Sequence, residues 1–162
     1  MTPDAAFDAR AFRNALGCFA TGITVISTLG PDGAPIGVTM NSFSSVSLDP
    51  PLVQFCLARS STAFHDIVAA PTFVVNILSE EQVDLSVRFS QRGLLNRWAG
   101  LEVEHWDTGV PVLPGCLANL ECDHEAVFEG GDHVIILGRV RRIASREGRP
   151  LLYYQGAYAR LD

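Results

Sequence analysis

The chain has 162 residues, 48% of them hydrophobic and 19% charged, with a net charge of −6. That size supports one domain, residues 1–162, with a hydrophobic core of its own, and the composition excludes a disordered chain. The negative charge argues against the sequence-independent grip on nucleic acid that many phosphate-neutralising side chains provide.

Apolar runs such as Phe73–Val75 and Val134–Leu137 fall far short of the ~20 residues of a membrane span. No basic-then-apolar start marks a signal peptide, so a soluble, cytoplasmic domain with no membrane partner is expected. All twelve basic residues are arginines, which removes Schiff-base and lysine-nucleophile chemistry. The four cysteines, Cys18, Cys56, Cys116 and Cys122, form no C-x-x-C pair. Cys122-Asp-His124 has no second ligand pair at metal spacing, so neither a disulfide nor a metal is expected.

In chain order, Thr2-Pro3-Asp4 reads as a helix start, with Thr2 as cap and Pro3 at the first helical position. Phe7, Ala11, Phe12, Ala15, Leu16 and Phe19 then recur at helical spacing and predict one apolar face laid on the rest of the domain. Ile23 to Thr28 is β-branched, and Gly30-Pro31-Asp32-Gly33 predicts the turn of a first hairpin. The stretch from Thr39 to Ser47 is dense in small hydrogen-bonding side chains and reads as a polar loop between strands. It is either a surface crossover or a cradle for a polar, planar ligand.

Leu52 to Ala58 reads as a strand buried on both faces or nearly so. A short helix follows from about Ala63 to Ala69, with Arg59-Ser60-Ser61-Thr62 supplying either a cap or an anion site. Phe73 to Leu78 is a strand with Asn76 as its one polar residue. Ser79-Glu-Glu-Gln82 fits a capping box and predicts a helix to about Arg88 or Phe89. Arg92 to Gly109 shows little periodicity and reads as an irregular loop. Leu117 to Arg142 alternates on both sides of Glu129-Gly130-Gly131-Asp132 and predicts one long hairpin, whose arginines form either a solvated face or an anion site. Leu151 to Tyr154 is the last strand. Six or seven strands without βαβ alternation point to an antiparallel, mainly β barrel with two or three short helices.

Several chemistries are missing their motifs. No G-x-G-x-x-G follows a strand, and Gly17-Cys-Phe-Ala-Thr-Gly22 has the glycine spacing of a phosphate loop without its lysine. No G-x-S-x-G or H-E-x-x-H occurs. What remains is a set of neutral hydrogen-bonding loops at strand ends, with Gly131-Asp132-His133 and Tyr153-Tyr154. A flavin needs little else, because hydride reaches its ring without an obligatory protein acid or base. His133 is either a hydrogen-bonded turn residue or a contact for a second substrate. Tyr153 and Tyr154 are either strand core and rim or rings that stack on a nicotinamide.

The run Phe12-Arg-Asn-Ala-Leu-Gly-Cys-Phe-Ala-Thr-Gly-Ile-Thr-Val-Ile, the Thr39-Met-Asn-Ser-Phe-Ser-Ser-Val-Ser-Leu-Asp-Pro-Pro-Leu segment, Asn76-Ile-Leu, Gly131-Asp132-His133 and the Tyr-Tyr-x-Gly-x-Tyr ending together resemble the short-chain flavin reductases of two-component flavin-dependent monooxygenases. That resemblance covers nearly the whole chain. It implies a Greek-key-like split β-barrel with short flanking helices that binds FMN or FAD, uses NADH or NADPH, and forms a homodimer serving a separate monooxygenase.

By position the resemblance implies that Thr39, Asn41, Ser42 and Ser44 meet the flavin, and that Cys56 and Leu57 offer it backbone. It also implies that Ser61, Thr62 and Arg88, with the neighbouring Phe89, lie near its phosphate. His133, the residue assigned to catalysis, seats the nicotinamide with Tyr154 and Tyr158. The sequence Arg88-Phe-Ser-Gln-Arg-Gly93 departs from many relatives and leaves Arg88 and Arg92 competing for the phosphate. The alternative is a flavin-holding sensor or store of the same fold, which keeps the Thr39–Ser44 cradle but needs neither His133 nor Tyr154.

Overall fold

The computed structural model describes residues 7–161. The predicted start at Thr2-Pro3-Asp4 lies outside them. Within them α1 (Ala9–Gly17) is capped by Asp8, whose carboxylate accepts from the backbone N–H groups of Arg10 and Ala11. Then come β1 (Thr21–Gly22), β2 (Thr24–Leu29), β3 (Pro35–Met40), β4 (Ser44–Leu48) and β5 (Pro51–Ala58). α2 (Phe64–Ala69), β6 (Thr72–Ile77), a 3₁₀ turn at Glu80–Gln82 and α3 (Val83–Ser90) follow. The chain finishes with β7 (Glu104–His105), β8 (Pro111–Val112), β9 (Ala118–Gly130), β10 (His133–Ser145), β11 (Leu152–Tyr154) and β12 (Ala157–Ala159).

Seven strands form one antiparallel sheet in the order β3-β2-β6-β9-β10-β5-β4, and β1-β11-β12 and β7-β8 form smaller ones. The edge strands β3 and β4 are joined by only Asn41, Ser42 and Phe43. So short a link keeps the two edge strands close together at this corner. Phe55, Phe73, Ile26, Val75 and Ile136 belong to the buried core. Phe55 and Phe73 meet edge to face at 5.2 Å, and each fully buried ring contributes about 1.5–3 kcal/mol. Phe73 also presses on Gly138, where a Cβ would collide with its ring and where the β9–β10 register shifts.

The hairpins, the long β9–β10 pair and the helix ending at Ser90 fall where the sequence predicts them. At its start Gln82 Oε1 accepts from the Ser79 N–H at 3.0 Å. Four expectations are corrected. Ser44–Leu48 is a strand rather than loop, paired with β5, because its serines sit on an exposed edge. β5 buries Val53, Phe55 and Leu57 on one face only, its other residues being half-buried or exposed. The 92–109 segment contains the β7 half of a small hairpin. Among the described residues the apolar face of α1 stays open to solvent: Phe12 is 49%, Leu16 57% and Phe19 77% exposed.

The arginines of β10 are engaged in a solvated face. Arg139 pairs with Glu125, Arg141 with Asp123 and Arg142 with Asp107.

Asn76, the lone polar residue of β6, is completely buried and makes all four of its bonds. Its Nδ2 donates to Val25 O and Ser27 Oγ, while its Oδ1 accepts from Leu113 N and Asn119 Nδ2. It thereby ties β2, β6, β9 and the segment after β8 together. Asn76→Leu strands these partners in the dry interior. At about 1–3 kcal/mol per unsatisfied group, the loss should reach at least about 3 kcal/mol, read as a lower urea midpoint.

Candidate functional site

β5 carries the centre of the site. The Ser42 hydroxyl accepts from Cys56 N–H at 2.9 Å and donates to Cys56 O at 3.0 Å, so one side chain does there what another strand would do. β4 begins at Ser44, opposite Gln54, so its pairing with β5 reaches no further towards Ala58. Backbone groups of alternate residues in a strand point the same way, so Ala58 N–H faces the side that Cys56 faces, with no strand residue opposite. Leu57 is turned to Val134 of β10, and Ala58 O accepts from Ser61 N.

Around this free N–H lies a cavity of about 240 Å³ lined by Thr39, Asn41, Ser42, Cys56, Leu57, Ala58, Ser61 and His133, with Val38 and Met40. An adjoining cavity of about 250 Å³ shares Thr39, Met40 and Asn41 and adds Ile23, Ser86, Ser90, Tyr153 and Tyr158. In its wall the Ser86 and Tyr158 hydroxyls lie 2.9 Å apart, and Thr39 Oγ1 donates to Ser86 O at 2.7 Å, joining β3 to α3.

Not every site residue named from the sequence reaches these spaces. Thr62 opens instead on a groove beside Gly37 and Arg97. Ser44 Oγ accepts from Gln54 on the exposed edge. Tyr154 is 42% exposed and lines neither cavity. Phe89 is fully buried, its ring 4.7 Å from that of Trp98, so it supports the floor and offers no ring to a ligand. Arg88 donates from Nε to Arg97 O and from Nη2 to Ala99 O, which fastens the loop after α3 and takes up those donors. Cys56 and Leu57, expected to offer backbone, both line the cavity; Cys56 N–H is bonded to Ser42, Leu57 is paired with Val134, and the N–H without a strand partner is that of Ala58, one residue on.

Sequence reasoning did not single out Ala58 and Ser86, which line these cavities. Tyr153, weighed there as a strand-core residue or a stacking ring, lines the adjoining cavity, where the turn at Gln155-Gly156, both with positive φ, pairs it with Tyr158.

His133 follows a two-residue turn, Gly131-Asp132, with positive φ at Gly131. Arg59 secures the turn, its N–H donating to Asp132 O, its Nε to Gly131 O and its Nη2 to Glu129. His133 Nδ1 lies 2.6 Å from Asp132 Oδ1, and this contact holds the Asp132 carboxyl below its ordinary value. Burial pushes the Cys116 thiol up to about 11 and the Cys122 thiol up to about 12. Neither is a thiolate at neutral pH. The cavity walls thus present neutral hydrogen-bonding groups, apolar side chains and one imidazole, a set suited to holding a planar redox cofactor.

The flavin reductase like domain family matches residues 16–162, and the chain belongs to that family. The FMN reductase (NADH) SmoA of Agrobacterium fabrum is 48% identical over 155 residues, 96% of this chain and 87% of that one. The flavin-dependent monooxygenase reductase subunit HsaB of Rhodococcus jostii is 42% identical over 158 residues, 97% of this chain and 80% of that one. The solved structure of Streptomyces globisporus NADH:FAD oxidoreductase SgcE6, in complex with NAD and FAD fragments, has a TM-score of 0.90 at 32% identity, covering 98% of each chain.

In carboxyl-resolved NMR, Asp132 should titrate below the ordinary carboxylate range and return towards it in His133→Ala. Because the folded value is the lower one, the contact favours the folded turn above the ordinary carboxylate pKa. Its contribution is lost as pH falls through the depressed value.

Proposed function

We propose that the chain is an NAD(P)H:flavin oxidoreductase that takes FMN or FAD at the β5 edge and passes reduced flavin to a separate monooxygenase. The observation that carries this reading is the cavity itself, with apolar walls, neutral polar groups and the Ala58 N–H that faces no strand residue, in a chain of the flavin reductase family. Relatives named for NADH support that donor over NADPH, and a relative named as a monooxygenase reductase subunit supports the partner.

Flavin supplies, when bound, a ring atom that accepts hydride without a protein acid or base. The residues of the chain contribute position. Ala58 N–H meets an acceptor on the ring edge, with Asn41 and Ser61 as further polar contacts. Val38, Met40 and Leu57 keep water from the apolar part of the ring. His133, anchored by Asp132 and the Arg59 clamp, stands at the rim to orient the nicotinamide, while Tyr158 and Tyr153 offer rings from the adjoining cavity. Holding both reactants in line converts a bimolecular transfer into an effectively unimolecular one.

The same proposal includes the split barrel, supported by the three-residue link between the two sheet edges, and a cytoplasmic setting. No helix among the described residues is long and apolar enough to cross a membrane. It also includes a homodimer, supported by the uncovered face of α1. In sedimentation the protein should run as a dimer and the double variant Phe12→Glu/Leu16→Glu as a monomer; a monomeric parent protein would remove this assignment.

NADH or NADPH oxidation followed at 340 nm, with FMN, FAD and riboflavin supplied in turn, tests the activity. Flavin-dependent turnover is expected. Binding without turnover would make the chain a flavin-holding module. His133→Ala should raise KM for the nicotinamide about tenfold, the loss of one good hydrogen bond, with flavin affinity nearly unchanged. Equal loss of both would remove His133 from that role.

A further inference from the structure

Ser86 stands on the buried face of α3, 1% exposed, between Val83 and Phe89, its neighbours about one turn away on either side. Alanine fills such a position at less cost, because a serine there buries a hydroxyl and has the weaker helix propensity. Among the described residues the Ser86 Oγ meets one partner, the hydroxyl of Tyr158 at 2.9 Å. The side chain serves that contact.

Tyr158 lies on β12, the edge strand of the β1-β11-β12 sheet, which pairs with β11 alone. Among the described residues its bond to Ser86 is the one hydrogen bond that ties β12 to any element other than β11. The ring is 40% exposed and meets that of Tyr153 edge to face at 5.9 Å. Without Ser86, no hydrogen bond holds its outer end.

The same residue reaches the flavin cavity by its backbone. Its carbonyl accepts from Thr39 Oγ1 at 2.7 Å, and Thr39 lines both cavities, whereas Ser86 and Tyr158 line the adjoining one. The Ser86 backbone thus holds a wall common to the two spaces, and its side chain holds a wall of the second. Removing the side chain separates these two contributions.

We propose that Ser86 is a positioning residue for hydride transfer. Through the Tyr158 hydroxyl it fixes the ring that walls the adjoining cavity, and through Thr39 it fixes the boundary with the flavin cavity, so that the nicotinamide is held in one place against the flavin. The inference rests on the reductase reading above, which brings the nicotinamide to the rings of Tyr153 and Tyr158, and it adds the residue that sets Tyr158. A misplacement of about 1 Å between reactants is enough to slow a transfer that depends on alignment.

The test compares Ser86→Ala, Tyr158→Phe and the double variant with the parent protein, FMN being supplied to each. Ser86→Ala keeps the helix and Tyr158→Phe keeps the ring, so folding is preserved. Calorimetry gives the dissociation constant of NAD⁺, oxidation at 340 nm the KM of NADH, flavin fluorescence the affinity for FMN, and thermal unfolding the stability. Each single variant should weaken NAD⁺ and raise the KM of NADH about fivefold, the scale of one hydrogen bond. FMN affinity and the unfolding temperature should stay nearly unchanged, because the Thr39 bond to the Ser86 carbonyl remains. The double variant should lose no more than either single one, since both remove the same bond. Unchanged NAD⁺ affinity in the single variants, additive losses in the double variant, or a parallel loss of FMN affinity would overturn Ser86 as a positioning residue and leave the reductase reading standing. A parent protein that binds FMN but neither binds NAD⁺ nor oxidises NADH would overturn that reading together with this one.

Discussion

The short link between the sheet's two edges governs the rest of the molecule. An extended residue reaches at most ~3.6 Å, so Asn41, Ser42 and Phe43 keep β3 and β4 within a few residues' length of each other. The corner cannot close by strand pairing, because three residues that change direction cannot also lie in register. Ser42 resolves this with its hydroxyl, acting as both donor and acceptor for Cys56, while Phe43 packs on the core cluster beneath. The cavity exists because pairing stops there: one step past Cys56 the edge of β5 has backbone to offer.

The surroundings of that edge divide into parts that face the cavity and parts that hold them still. Thr39 is tied to α3, and Arg59 grips the turn that ends at His133. Gly37 has no side chain because Phe89 and Trp98 occupy its place, a Cβ there coming within 2.5 Å of the Phe89 ring. The same packing fixes the floor of the site and, with the bonds of Arg88 and Arg97 to backbone carbonyls, holds the loop after α3 in form with little regular secondary structure.

Much of the fold was legible because its signals are local. Alternation located β9 and β10, Gly131-Asp132 located their turn, and Ser79 to Gln82 located the start of the helix ending at Ser90. β4 was hidden because serines at an exposed strand edge and serines in a loop have the same composition; only the pairing with β5 distinguishes them. The role of Asn76 needs four partners from distant segments, which no pattern in β6 announces. Within the site, residue types were legible but not their orientation. Ser42 lines the cavity and also bonds Cys56, Arg88 holds loop carbonyls, neither of which a local pattern announces, and Ala58 carries no signal because its contribution is backbone. The apolar face of α1 was read correctly as apolar and wrongly as covered by the chain's own core.

The length of the opening at β5 has a further meaning. An unpaired strand edge normally invites another strand, which docks through amides repeated every second residue. Here Ser42 has closed Cys56, the turn at Ser61 has claimed Ala58 O, and Arg59 N–H is given to Asp132. One amide is left. A small flat molecule can use a single amide, but a peptide strand cannot build a ladder on it, so the corner guards the protein against edge-to-edge aggregation at this opening.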